Sequence, residues 1–334
     1  MHNTSTFREI AELWKENRRS VVKHSTYCAY ALILKTHLMP VFADSVSISE
    51  ADVQQFVLGK LEAGLSKKTV HDIIAVLKSV GRFGARRGMS EIPSWDIEYP
   101  SDTTARILPV LSLPDHKKLL NAIASEPTPQ NIGIMIALCC GLRIGEVCAL
   151  QWTEVDMARR IITVAGTAGR IYNCDLMATE QYVSTPKTRN SNREIPISPL
   201  LFKALNVVKK QQSVEKYVVG EGTKAKEPRT YRETFSRILK RLGIPPIVFH
   251  GLRHTFATRC IESGCDYKTV SVILGHSNVA TTLNLYVHPN IEQKKTMYCP
   301  IKQVPANRLK LKKTSVEILA SRHQFRKFFR CRNR

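Results

Sequence analysis

The spacing of apolar residues predicts helices through the first quarter of the chain. From Phe7 onward, four successive segments carry apolar side chains every three or four positions, as on one face of an α-helix. Pro40 is expected to stop the second helix, and Ser49 and Gly64 are expected to cap and end the third. We therefore predict a bundle of about four helices over residues 1–89.

The pattern then changes twice. Residues 90–112 contain scattered prolines without a regular period, which indicates a linker. Residues 113–300 begin with helical patterns, continue through a β-rich stretch whose last strand is placed on an edge by Pro196, and return to helices from about residue 199. The predicted fold class is mainly α with a small β-sheet, in which a helical bundle precedes an α+β domain.

Composition and charge narrow the class of partner. The 334 residues are 43% hydrophobic, enough for two domains, and their formal net charge is +22. Such a charge indicates a polyanion, either nucleic acid or an anionic membrane surface. No uncharged apolar run reaches the length of about 18 residues that a spanning helix needs, and the N-terminus lacks the apolar core of a signal peptide. We therefore expect nucleic acid as the partner and no membrane.

Much of this charge lies at the C-terminal end. Residues 302–334 carry eleven lysines and arginines and a single acid, Glu317. We therefore predict a separate basic tail over residues 301–334. Such a run is either solvated and disordered or docks on DNA or a partner chain, and the sequence leaves both alternatives open.

The nine cysteines have no CxxC spacing, and several lie in apolar helical runs. This usage is typical of a reduced cytosolic protein and argues against a disulfide framework or a structural zinc ion. We expect no metal and no cofactor.

Four short stretches carry residues suited to chemistry. In "GLRIGEVCALQW", Arg143 follows a glycine at a helix junction, and Glu146 is spaced to pair with it on the surface. In "FHGLRHTFATRCIESG", His250 and Arg253 share a helix face. Each stretch alone is also explained by ordinary surface residues.

The other two stretches surround a lysine and a tyrosine. "STPKTRNSNREIPIS" predicts two strands joined by a polar turn, with Lys187 near its tip. "LGHSNVATTLNLYVH" places His276 ten positions before Tyr286. Together, these four stretches supply a set that suits phosphate chemistry. Each arginine can bind two phosphate oxygens at once through its guanidinium group. A histidine can accept the proton of a tyrosine nucleophile, and a lysine can protonate a leaving alkoxide.

These motifs, in this order, resemble those of the tyrosine recombinases, the phage-integrase, Xer and Cre family. The resemblance covers about residues 113–290, and residues 5–89 are similar to the helical, SAM-like core-binding domain that precedes the catalytic domain in such enzymes. The catalytic residues that the resemblance implies are Arg143, Lys187, His250, Arg253, His276 and Tyr286, with Glu146 orienting Arg143.

The resemblance also implies a role for each residue. The two arginines would clamp the scissile phosphate, and Tyr286 would attack phosphorus to give a 3′-phosphotyrosyl enzyme. Lys187 would protonate the leaving 5′ hydroxyl, His250 would act as acid and base on the tyrosine proton, and His276 would bond a phosphate oxygen. His254 and His288 are expected to be ordinary packing residues.

The expected function is site-specific integration or excision of a phage genome or mobile element. The alternatives are a Xer-like resolvase of replicon dimers, a relaxing activity of the type IB topoisomerase kind, and a catalytically silent DNA-binding relative. The expected partners are double-stranded DNA and three further copies of the chain in a homotetramer on synapsed sites. The free protein is expected to be a monomer or weak oligomer. An accessory DNA-bending protein is a further candidate, and the expected location is the cytoplasm, on the nucleoid.

A basic helix in the N-terminal bundle is the candidate DNA-binding element. Its first residues lie at a helix N-terminus, where phosphate oxygens are well received. Such contacts position the protein without specifying bases. The predicted DNA-binding residues are Lys67, Lys68, Thr69, Lys78, Arg82, Arg86 and Arg87.

Overall fold

The structure is a computed structural model. It describes residues 5–91, 93–101, 109–173, 176, 178–184, 192–211, 216–220, 222–276 and 278–283. The chain is mostly helical with two small antiparallel sheets, which confirms the predicted fold class.

The N-terminal helices form the predicted bundle around one apolar core. Ser49 caps the helix that follows it by a reciprocal capping box with Asp52, and Gly64 adopts a positive φ of 86° just beyond that helix, as expected. The helices are α1 (Phe7–Val21), α2 (His24–Ile33), α3 (Met39–Phe42), α4 (Glu50–Glu62) and α5 (Lys67–Arg86).

The expectation that Pro40 stops a helix is wrong. A π-helical turn over Leu34–Leu38 follows α2, and the chain continues into α3. Pro40 lies in the first turn of α3, where its missing N–H is not needed for a helical hydrogen bond. The wider π-turn thus restarts the helical pattern instead of ending it.

Part of the predicted linker packs along the bundle. The indole N–H of Trp95 donates to the Ile48 carbonyl at 3.1 Å. Gln54 of α4 exchanges two hydrogen bonds with the backbone of Glu98, at 3.0 and 3.1 Å. The chain therefore leaves the bundle only after this strap, residues 93–101, and the boundary at residue 89 stays a prediction.

The second half of the chain supplies a larger apolar core. Its helices are α6 (Leu113–Ser125), α7 (Pro129–Cys140), α8 (Ile144–Ala149), α9 (Pro199–Gln211), α10 (Pro228–Arg241), α11 (His250–Glu262), α12 (Tyr267–Leu274) and α13 (Ala280–Leu283). Its strands are β1 (Val155–Asp156), β2 (Ile161–Val164), β3 (Thr167–Asn173), β4 (Ala178–Ser184) and β5 (Arg193–Pro196). The first sheet has the order β1-β2-β5, so Pro196 is on an edge strand, as predicted.

Residues 184–198 include the end of one strand and all of the next, as predicted, but the two strands do not pair with each other, so the hairpin that the prediction implied is wrong. Ser184 ends β4, which pairs with β3, whereas Arg193 begins β5, which pairs with β2. A separate β3–β4 hairpin is thus inserted between two neighbouring strands of the first sheet. The inserted hairpin also contacts the bundle, since Ile171 of β3 packs on Tyr27 and Cys28 of α2.

Candidate active site

Arg143 lies in a tight turn between two buried helices. Helix α7 ends at Gly141, whose φ of 68° is in the left-handed region. A Cβ at this position would lie 2.6 Å from the Phe256 ring and 2.7 Å from Leu274, so the turn requires glycine. Helix α8 begins at Ile144, immediately after Arg143, as the sequence predicted.

The Glu146 carboxylate accepts hydrogen bonds from both the backbone and the side chain of Arg143. The backbone N–H of Arg143 donates to Oε2 at 2.9 Å, and its Nη1 donates to Oε1 at 2.8 Å. The predicted pair therefore exists, but it is not a surface pair, since Glu146 is only 5% exposed. A second arginine explains the burial: Nη1 and Nη2 of Arg193, on β5, donate to the same carboxylate at 3.2 and 3.0 Å.

The two arginines keep this buried carboxylate ionised. Burial alone raises the pKa of Glu146, but hydrogen bonding and charge from Arg193, and then from Arg143, lower it below its ordinary value. Glu146 therefore holds a full negative charge at neutral pH and orients both guanidinium groups.

Arg253 lies on the buried face of α11. Its side chain is 1% exposed, and its Nη1 and Nη2 donate to the carbonyls of Gly141 and Leu274 at 2.9 and 2.6 Å. Burial and the neighbouring Arg143 lower its pKa to about 9, so the guanidinium is still charged at neutral pH. The sequence predicted only that Arg253 shares a helix face with His250, and the structure shows that this arginine is buried.

The C-terminal end of α12 is a shared anchor for three arginines. The carbonyls of Ile273, Leu274 and Gly275 accept, respectively, from Arg193 Nε at 2.6 Å, Arg253 Nη2 at 2.6 Å and Arg143 Nη2 at 3.5 Å. Carbonyls at a helix C-terminus carry partial negative charge and attract cations. This arginine-bound end of α12 therefore gathers residues from the turn before α8, from β5 and from α11 at one point.

His276 directly follows this anchor. Its Nδ1 is 2.8 Å from the hydroxyl of the fully buried Thr282, which orients the ring. Burial, followed by the charges of Arg253 and Arg143, lowers its pKa to about 4. The ring is therefore neutral at neutral pH.

Two further histidines lie one turn apart on α11. His250, the first residue of the helix, contacts the ring of His254 edge to face, with 4.6 Å between centroids. Burial, Arg253 and Arg143 lower the pKa of His250, so its neutral form is favoured. His254 is buried, and neither of its ring nitrogens has a hydrogen-bond partner in the part of the chain that the structure describes.

A cleft of about 690 Å³ opens beside Arg143 and His250. Its wall continues along the exposed side of α10, past Arg232 and Ser236. A phosphate that entered this cleft would meet a partly exposed arginine and a neutral histidine. The arrangement can stabilise charge on phosphate oxygens and accept a proton nearby.

The structure thus brings together Arg143, Glu146, His250, Arg253 and His276 from among the predicted site residues. Lys187, Tyr286 and His288, and the whole tail 301–334, lie outside the described residues. Their assignments stay predictions from the sequence.

The predicted DNA-binding residues lie on α5, which begins at Lys67 as expected, or, in the case of Arg87, at its C-cap. Lys68, Thr69, Arg82, Arg86 and Arg87 are exposed. Lys68 pairs with Asp72 at 3.3 Å, and Arg87 lies over the Phe83 ring at 4.5 Å. Lys78 is different, because it is partly buried and donates to the Trp95 carbonyl of the strap at 2.9 Å. It is therefore already engaged within the bundle.

The described residues include neither a metal-binding cluster nor a membrane-spanning helix, and their cysteines are free. The described residues contain no group of three or more His, Cys, Asp or Glu that could hold a metal ion. The six cysteines among them, Cys28, Cys139, Cys140, Cys148, Cys260 and Cys265, are free thiols. None of the helices that the structure describes is long and apolar enough to cross a bilayer.

The sequence analysis missed Arg193. Its signal is an alternating strand pattern, in which Arg193 and Ile195 are buried while Glu194 and Pro196 are exposed. An arginine in the inward phase of a strand indicates a buried partner of opposite charge. That partner, Glu146, lies 47 residues earlier, so pattern alone could not identify it.

Comparison with known proteins agrees with this site. Residues 110–293 match the phage integrase family, and residues 6–60 match the N-terminal SAM-like domain of phage integrases. The chain belongs to the phage integrase family, and it is a site-specific tyrosine recombinase that breaks and rejoins DNA strands. This confirms the resemblance inferred from the motifs.

The sequence identity between this chain and individual members of the family is low. A XerC-like tyrosine recombinase of Caldanaerobacter subterraneus is 28% identical over 74% of this chain and 69% of its own length. The ICEBs1 integrase of Bacillus subtilis is 26% identical over 82% of this chain and 77% of its own. The Tn1549 transposon integrase, solved in complex with transposon right end DNA, has a similar fold. Its TM-score is 0.72 at 23% identity, over 89% of this chain and all of that one (100%).

Proposed function

We propose that this recombinase integrates and excises a mobile element through a 3′-phosphotyrosyl intermediate formed at Tyr286. The observation that carries the proposal is the cluster of Arg143, Arg253 and neutral histidines, of which Arg143 and His250 line the cleft. The ICEBs1 integrase among its relatives supports a mobile element as the substrate.

The two arginines neutralise the scissile phosphate without a metal. The described residues engage two of the five N–H donors of each guanidinium, which leaves donors for phosphate oxygens. Arg143, whose side chain is 37% exposed, meets the phosphate first. Arg253 is almost fully buried, so contact with it requires the residues that cover it to shift when DNA binds.

Proton transfer completes the reaction. His250, neutral at working pH, accepts the proton of Tyr286 as the phenolate oxygen attacks phosphorus. Lys187 donates a proton to the departing 5′ oxygen, and His276 bonds a non-bridging phosphate oxygen. Attack by a 5′ hydroxyl of the partner duplex reverses these steps and joins the exchanged strands.

The number of strands cut in recombination determines how many copies of the chain act together. Four strands are cut and each protomer carries a single Tyr286, so four copies of the chain act on two synapsed DNA sites. The free protein is a monomer or weak oligomer in the cytoplasm, acting on the nucleoid, and an accessory protein that bends DNA assists where sites lie far apart.

The test is a Tyr286→Phe variant on a nicked suicide substrate, with denaturing gels to detect the covalent complex. The variant is expected to lose the adduct completely and to keep its DNA affinity, because the phenol oxygen supplies the nucleophile but little binding energy. Tyr298→Phe, at the next tyrosine along the chain, is the matched control and should form the adduct normally. An adduct that persists in Tyr286→Phe would overturn the assignment.

The XerC-like relative favours a second candidate, resolution of replicon dimers. The two functions differ in their sites, since a resolvase recombines two copies of one host sequence, whereas an integrase joins an element to a different one. Recombination between paired plasmids that carry element ends or host dimer sites distinguishes them.

A further inference from the structure

We propose that Arg193 is a positioning residue of the recombination reaction, which holds Glu146 and the end of α12 so that Arg143 and His276 face the phosphate. The inference rests on the proposed function, because it concerns how the same phosphate is bound. Neither the motifs nor the proposed mechanism gives this arginine a role.

Arg193 is placed where an apolar residue would be expected. It is the first residue of β5 and points inward, in the same phase as Ile195. Its side chain is 5% exposed, in a region whose other inward residues are aliphatic. A buried arginine costs free energy unless it is fully hydrogen-bonded, and a buried ion pair contributes little net stability compared with apolar packing. Stability alone therefore does not explain the residue.

The contacts of Arg193 lead directly to the predicted catalytic residues. It binds Glu146 in a bidentate manner, at 3.2 and 3.0 Å, and Glu146 binds the side chain and backbone of Arg143. Each oxygen of the carboxylate is thus shared between the two arginines. Without Arg193, Glu146 would keep half of its fixed donors, and Arg143 would be free to turn away from the cleft.

A third hydrogen bond reaches the other side of the site. Arg193 Nε donates to the Ile273 carbonyl at 2.6 Å, at the arginine-bound end of α12. His276 follows three residues later, and the segment that carries Lys187 joins β5 at Arg193 itself. One side chain therefore ties together the strand after Lys187, the helix before His276 and the carboxylate that orients Arg143.

The geometry needs the guanidinium group and not only a charge. A lysine could pair with Glu146 but could not also direct a separate N–H group to Ile273, because its donors radiate from one nitrogen. Arg193→Lys therefore preserves the buried charge and removes the connection, whereas Arg193→Gln removes both.

The experiment measures single-turnover cleavage of a nicked suicide substrate by the full chain at saturating protein. Arg193→Lys and Arg193→Gln are each expected to slow cleavage about tenfold or more, by analogy with the loss of groups that orient metal ligands. DNA affinity should be unchanged. Arg159→Gln is the matched control: Arg159 forms an exposed ion pair, at 3.7 Å, with Glu194 of the same strand as Arg193, and its loss should leave the rate unchanged.

Two readouts separate positioning from a merely structural role. In a background that lacks both positioned side chains, Arg143→Ala with His276→Ala, Arg193→Lys should slow cleavage little further, because its effect passes through these two residues. A neutral methylphosphonate at the scissile position should also reduce the defect, since less charge has to be stabilised. A defect that multiplies in full with the loss of both Arg143 and His276, or a normal rate in Arg193→Lys, would overturn the proposal.

Folding and the proposed function are checked separately. If thermal melts show that Arg193→Gln does not fold, the conclusion rests on Arg193→Lys, which retains the charge pair. If Tyr286→Phe still forms the adduct, the proposed function fails whatever the Arg193 variants do. If adduct formation depends on Tyr286 and Arg193→Lys is fully active, only the positioning role of Arg193 fails.

Discussion

The cationic side chains of the candidate active site and those of helix α5 differ in burial and in hydrogen bonding. Arg253 is 1% exposed, and Arg253 and Arg193 donate to fixed backbone carbonyls. On α5, by contrast, the Lys68 side chain is 84% exposed, and its partner Asp72 is itself largely in solvent. One region fixes its charges in place, and the other displays them on the surface.

The difference corresponds to two functional requirements, catalysis and DNA affinity. Catalysis requires donors placed to within fractions of an ångström, which buried hydrogen bonds provide. Affinity for a DNA backbone requires mainly a number of cations near phosphates, and each acts through the release of counterions. We therefore expect the first region to be sensitive to geometry and the second to salt.

The largest expected effect comes from Arg253. Arg253→Ala should slow cleavage by about a hundredfold or more, roughly 3 kcal/mol of transition-state stabilisation, and leave DNA affinity nearly unchanged. Arg253→Lys should recover only part of the rate, because lysine cannot serve Gly141, Leu274 and a phosphate oxygen together. Single-turnover cleavage with parallel binding titrations measures both quantities. A fully active Arg253→Lys enzyme would show that fixed geometry is not what this region supplies.

The exposed face of α5 should give a smaller effect of another kind. Replacing Arg82 and Arg86 with glutamine is expected to weaken binding several-fold. It should also reduce the slope of log K against log salt by up to about 0.9 for each phosphate that the variant no longer neutralises. Cleavage at saturating protein should not change. Titrations at several salt concentrations test this prediction.

Lys78 provides the contrast within the same helix. Because it donates to the Trp95 carbonyl, Lys78→Gln should change the salt slope less than either arginine does and should loosen the strap instead. If Lys78→Gln changed the slope as much as Arg82→Gln, the distinction between engaged and displayed cations on α5 would be removed.

The same contrast explains what the sequence could predict. Some helix ends followed from local signals, such as the cap at Ser49 and the positive-φ Gly64 after the same helix, and the structure confirms these two. The set of catalytic residues came from the motifs and the family they resemble. The clustering of Arg143, Arg253 and His276 around one helix end did not, because it depends on tertiary contacts between distant segments.

The predictions that failed concern features that the local sequence pattern does not show. The inserted hairpin was missed because β3, with Gly169 and polar residues in its sequence, lacks a clean alternation. Pro40 was misjudged because the π-turn before it left no mark in the apolar pattern. Arg193 was overlooked as one more cation in a basic chain, and its partner Glu146, 47 residues earlier, could not be identified from the pattern alone.

The smallest expected effect concerns acid stability and extends the comparison from salt to pH. Burial, His250 and Arg253 lower the pKa of His254 to about 4 from an ordinary value of 6.5. The folded state therefore favours the neutral ring. The corresponding stability is fully present above about pH 6.5 and is lost progressively as the pH falls towards 4, because the unfolded chain binds the proton first. At pH 5 the loss amounts to about 1 to 2 kcal/mol.

His254→Leu should remove this loss, since leucine fills a similar space and does not titrate. Thermal melts at pH 7 and pH 5 should show a drop in Tm that is smaller in the variant by a few degrees. At neutral pH, the variant should be at least as stable as the parent, because both ring nitrogens of His254 lack hydrogen-bond partners among the described residues. Val21→Ala, at an exposed position of α1, changes no titratable group and is the control, which should keep the parent's drop. An unchanged drop in His254→Leu would mean that acid acts elsewhere than on the buried site.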